Sequence, residues 1–131
     1  MEKIMEVISE YWFFDHYRVL VIKEPNNKYV VSVDVYRKGW NFEVNEEVCV
    51  SQNRYCLIYC TIDPSKHNIV DGIAKIVITG IKTNHGLETV DVRYIMNRSP
   101  TYSDIEKMFY YSWKLIGCEG PKDSAWDTRC D

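Results

Sequence analysis

The sequence predicts an α+β domain: an N-terminal helix, a five- to seven-stranded, mainly antiparallel sheet, and a C-terminal helix packed on one face. Three observations carry this expectation. Val (14), Ile (13) and Tyr (10) far outnumber Leu (4), Ala (2) and Gln (1), a usage that suits pleated, half-buried surfaces better than long helices. Short β-branched runs separated by turn residues fill the middle of the chain, and helical periodicity is confined to its two ends. At 131 residues, with 46% hydrophobic and 27% charged residues, the chain can bury one core, which excludes a disordered chain and a multidomain machine. The expected organisation is one domain over 1–117 and a loosely ordered tail over 118–131.

At the start, Ile4, Val7, Ile8, Tyr11 and Trp12 recur at i, i+3, i+4, i+7 and i+8, with Glu2, Lys3, Glu6 and Glu10 elsewhere, and this spacing predicts an amphipathic helix. Tyr17 to Lys23 and Lys28 to Tyr36 read as a hairpin closed by the turn residues Glu24 to Asn27, with Tyr29, Val31, Val33 and Val35 on the core face. After the Arg37 to Trp40 turn, Asn41 to Val50 is expected as one bent strand or two short ones. Arg54 to Ile62 is apolar on both faces, the pattern of a strand covered on each side, and is expected at the centre of the sheet. Ile73 to Ile81 and Glu88 to Met96 form a second hairpin. The last helix carries Ser103 three residues before Glu106, the spacing of a capping box, and ends at Gly117. Its apolar residues, Ile105 to Ile116, cover more than one stripe. That surplus predicts a homodimer formed through this helix, with Tyr110, Tyr111, Trp113 and, from the turn, Trp40 as interface residues.

Charge and motif content bound the function. Sixteen Lys+Arg against 19 Asp+Glu give a net charge of -3 with no long block of one sign, so non-specific nucleic-acid binding is not favoured. The sequence has no phosphate-cradling glycine loop, His-Glu-x-x-His, Cys-x-x-Cys or Gly-x-Ser-x-Gly. The expectation is therefore a non-enzymatic protein with no catalytic residues, no metal and no cofactor. The first ten residues lack a secretory h-region, and the longest apolar runs fall far short of the ~20 residues that a membrane-crossing helix needs. Five cysteines, an odd number without close even spacing, suit reduced thiols in the cytoplasm, with Cys118 and Cys130 as the one pair placed to close a disulfide.

Two functional readings follow, from different classes. In the first, the aromatic surplus marks a small accessory protein that binds a protein partner. Its residue usage resembles that of an AT-rich genome, and it could be a viral or mobile-element antagonist of a host factor, acting in the host cytoplasm. In the second, Thr89, Asp91 and Arg93 share one face of the last strand, and Lys75 and Asp34 lie on expected neighbours. If Lys75, Asp91, Arg93 and Asp34 converge, they form a polar surface for a nucleotide, another small ligand or nucleic acid, conceivably with weak phosphoesterase activity.

Overall fold

The computed structural model describes residues 5–38, 50–52, 57–82, 87–115 and 120–121. Among the described residues, seven strands, β1 (Glu6–Phe13), β2 (Tyr17–Glu24), β3 (Lys28–Lys38), β4 (Val50–Gln52), β5 (Leu57–Ile62), β6 (Ile73–Lys82) and β7 (Leu87–Met96), precede one α-helix, α1 (Tyr102–Leu115). The strands form a single sheet in the order β1-β2-β3-β7-β6-β5-β4, and every neighbouring pair is antiparallel. Two meanders, β1 to β3 and β4 to β7, therefore meet along one seam between β3 and β7. The α+β class and the antiparallel sheet are as the composition predicts.

Alternation along the strands sorts the side chains into two faces. Tyr17, Val19 and Val21 on β2, Val31, Val33 and Val35 on β3, Val90, Val92, Tyr94 and Met96 on β7, and Ile76 and Ile78 on β6 are buried together. On α1, Ile105, Met108, Phe109, Ser112, Trp113 and Leu115 are buried against this face. The hydroxyl of Tyr94 lies 3.0 Å from the carbonyl of Met108 and 2.9 Å from Ser112 Oγ, so the buried phenol is satisfied by the helix that covers it. Burial pushes its ionisation above the ordinary phenol range. No described helix is long and apolar enough to cross a membrane.

Three expectations are corrected. The N-terminal helix is instead the edge strand β1. Its register against β2 shifts between Val7 and Ser9, so Val7, Glu10 and Trp12 stand opposite Ile22, Leu20 and Arg18. The apolar residues fall on both faces of this edge strand, Val7 and Trp12 on one and Tyr11 and Phe13 on the other, so the sequence shows no alternation there, while the β-branched and aromatic side chains favour the extended chain. The sheet centre is β7, not the Arg54 to Ile62 segment, whose β5 lies next to the outermost strand. An apolar run on both faces marks coverage but does not fix strand order. Finally, the capping box is Thr101 with Asp104, two residues earlier than Ser103 with Glu106. Thr101 Oγ1 accepts from the Asp104 N–H at 3.2 Å, and Asp104 Oδ2 accepts from the Thr101 N–H at 2.8 Å. The C-terminal cap at Gly117, the tail over 118–131 apart from 120–121, and the segment 41–49 lie outside the described residues.

The helix start is further fixed by Arg98, whose Nη1 donates to Asp104 Oδ2 at 2.7 Å and whose Nη2 donates to the carbonyl (2.9 Å) and the carboxylate (3.1 Å) of Asp71. Beside it Gly72 adopts φ +88, and a Cβ there would stand 2.9 Å from Arg98 Nε. Glycine is required twice over, by the left-handed backbone and by the guanidinium pressed against it. Arg98 thus ties the turn before β6 to the end of β7 and the first turn of α1.

Candidate functional site

On the sheet face away from α1, the register aligns residues in rows. One row runs Val7, Ile22, Val30, Ile95 and Lys75; the next runs Glu10, Leu20, Ser32, Arg93, Val77 and Thr61. In the row beyond, Asp34 stands opposite Asp91, and Asp91 opposite Thr79. Arg18 Nη2 donates to Asp34 Oδ2 at 3.1 Å, Ser32 Oγ donates to Asp91 Oδ1 at 2.9 Å, and Arg93 Nε donates to Asp91 Oδ2 at 2.7 Å. Glu10 approaches the other side of Arg18 at 4.0 Å. Burial is the main reason that the Asp34 carboxyl is held above its usual range; Arg18 opposes that shift and the nearby Asp91 charge adds to it.

The structure therefore brings Asp34, Asp91 and Arg93 together as the alternation implied. Lys75 shares their face but stands opposite Ile95, a full row beyond the one that holds Arg93. Arg18, which completes the network, was legible from alternation: it opposes Tyr17, Val19 and Val21 and shares its face with Leu20 and Ile22. The two carboxylates are already engaged by two guanidiniums and a hydroxyl. Among the described residues, no group of three His, Cys, Asp or Glu side chains converges to hold a metal.

A second surface lies where the β1–β2 turn meets α1. The N–H of His16 donates to the carbonyl of Phe13 at 3.2 Å, and Phe14 and Asp15 have φ of 56 and 60. Positive φ at two successive residues of this three-residue loop is a conformation that asparagine and glycine adopt far more readily than phenylalanine. Here a phenylalanine occupies the left-handed position. Its ring sits 6.4 Å from Tyr17 and 6.5 Å from Phe109 and remains 45% exposed. Phe13 stacks on Phe109 at 4.1 Å and also meets Tyr102 and Tyr110, at 6.4 and 6.5 Å. Tyr102 packs against Tyr11 as well, at 5.5 Å. Tyr102 and Tyr110 stay 54% and 43% exposed, so three outward rings rest on a base of buried ones.

Farther along α1, Glu106, Tyr110, Tyr111 and Lys114 border a cleft of about 480 Å³ whose opposite wall includes Asn68 and Ile69. Tyr111 is half-buried, and its hydroxyl bonds His67 Nδ1 across the wall of the cleft. Of the interface residues expected from sequence, Tyr110 is therefore outward and Tyr111 half-covered. Trp113 is corrected: at 1% exposure, with its ring edge-on to Tyr17 at 5.3 Å, it belongs to the chain's own core. Trp40, Cys118 and Cys130 lie outside the described residues. Phe14 was not among the expected residues, since nothing in Phe-Phe-Asp-His signals a left-handed backbone at that position. Comparison of the chain with protein-family models, with curated proteins and with solved structures finds no match in any of the three.

Proposed function

We propose that this is a non-enzymatic accessory protein that acts by binding another polypeptide through the surface made by Phe14, Tyr102 and Tyr110. The observation that carries the reading is Phe14: a bulky, exposed ring at a hairpin tip whose backbone favours asparagine or glycine. Non-glycine residues held at positive φ cost about 1–3 kcal/mol and cluster at contact and switch sites, where the side chain is worth more than the strain. Tyrosine and other aromatic rings anchor protein contacts because they bury large area with few rotors to freeze. An antagonist of a host factor, carried by a virus or mobile element, is the form that accords with the residue usage. Nucleotide or small-ligand binding on the polar sheet face has less support, because Asp34, Asp91 and Arg93 are engaged with Arg18, Ser32 and one another.

Replacing Phe14-Asp15 by Asn-Gly separates stability from binding. The F14N/D15G chain should melt at or above the temperature of the parent, as the turn is relieved of strain. Polypeptides that co-purify with the parent from the cells that naturally produce it should drop about tenfold or more with the variant, the scale of losing an aromatic anchor. Equal recovery with both chains would overturn the reading.

A further inference from the structure

We infer that α1 is also a self-association surface, pairing antiparallel with α1 of a second copy about a two-fold axis through Tyr110. One ridge of the helix is symmetric in position and opposite in charge about that ring. Glu106, Tyr110 and Lys114 follow one another at intervals of four, so they form a single i±4 ridge with the ring at its centre and opposite charges at equal distances on either side. Each charge lies about 6 Å along the axis from Tyr110, given the helical rise. All three side chains are exposed.

A two-fold axis reverses the direction of the second helix, so it sets Glu106 against Lys114 of the partner subunit and Lys114 against Glu106 of the partner subunit. The same operation brings Tyr110 against Tyr110 of the partner subunit. The ridge is thus complementary to itself in charge, as an isologous contact requires. A parallel pairing would oppose like charges at both positions. The cleft walled by Asn68, Ile69 and Tyr111 opens beside the same ridge and gives an incoming ring room to settle. This inference rests on reading the Tyr110 side of α1 as a contact surface. It adds the chemistry of one partner: the chain itself.

The test is solution mass by light scattering over a range of concentrations, on the full chain and on three variants whose folding is checked by circular dichroism. The parent should approach twice the 15.5 kDa of one chain as concentration rises. Glu106→Lys alone and Lys114→Glu alone each turn two attractions into two repulsions and should weaken the dimer about tenfold. The double exchange, E106K/K114E, restores both pairs in the reverse sense and should recover parental association. A chain monomeric at every concentration would overturn the inference, as would a double variant no stronger than the singles. If monomeric chains still lose their partner on F14N/D15G substitution, the dimer is excluded while the proposed function stands.

Discussion

Asp34 and Asp91 stand directly opposite each other on the two strands that join the halves of the sheet, each engaged by a guanidinium, Arg18 for the first and Arg93 for the second. Asp34, more buried than its partners can offset, has its folded pKa raised above 3.8. A carboxyl with a raised folded pKa takes up its proton first in the native state. Its destabilising effect is therefore present at neutral pH and is relieved as pH falls through the folded value, fully so below 3.8. Asp34→Asn should have its most favourable stability difference from the parent near neutral pH, shrinking toward a constant in acid. Urea midpoints measured across that range check this; a difference that grows in acid contradicts it.

Asp104 behaves in the opposite sense. The Arg98 hydrogen bond, ahead of the Thr101 cap, holds its carboxyl below the usual range against the effect of burial. Its stabilisation is present above 3.8 and disappears as pH falls through the lower folded value. Arg98→Ala should cost about 2–3 kcal/mol at neutral pH, since it leaves a buried carboxylate with only the cap, and should flatten the loss of stability in acid. Arg98→Lys should recover only part of it, because an ammonium cannot span Asp71 and Asp104 as the fork does.

Gly72→Ala combines a left-handed φ with a contact against Arg98 Nε, so about 1–3 kcal/mol should be lost. In an Arg98→Ala background the steric part disappears and only the backbone part remains. A double-mutant cycle should therefore show the two substitutions costing less together than the sum of each alone.

Trp113 separates core from surface. Trp113→Ala should cost about 3–5 kcal/mol, whereas Tyr110→Ala, on an outward position three residues earlier, should change stability by about 1 kcal/mol or less. Among the described residues the buried indole N–H has no hydrogen-bond partner. Trp113→Phe removes that orphan donor along with some volume and should be far milder than Trp113→Ala. Thermal or denaturant melts of the three variants rank these effects.

Local alternation made much of this fold legible. Tyr29, Val31, Val33 and Val35 read as one core face, on which the three valines are buried and Tyr29 is partly buried, and Asp34, Asp91 and Arg93 read as one polar face and converge. The missing information was of two physical kinds. One was an edge strand with apolar residues on both faces: Val7 and Trp12 stand outward and Tyr11 and Phe13 inward, so β1 offers no alternation to read. The other was tertiary: whether Trp113 faces its own sheet or a neighbour depends on how far the helix rolls onto Tyr17 and Tyr94, which no spacing within the helix determines. Phe14 was illegible for a related reason, since strain becomes visible only in a backbone angle.

The seam between β3 and β7 also sets the order in which the chain can be completed. β1, β2 and β3 pair through short turns as soon as residues 6–38 are available, but the free edge of β3 must wait for Leu87–Met96 before it is covered. Until then Val31, Val33 and Val35 have neither the strand beside them nor the helix above them. During synthesis of this protein the β1 to β3 meander therefore waits with an unpaired backbone edge on β3 and an uncovered valine face for roughly fifty further residues. The period of greatest exposure to wrong partners comes before β7 emerges, and the same late segment that closes the sheet delivers α1 to cover it.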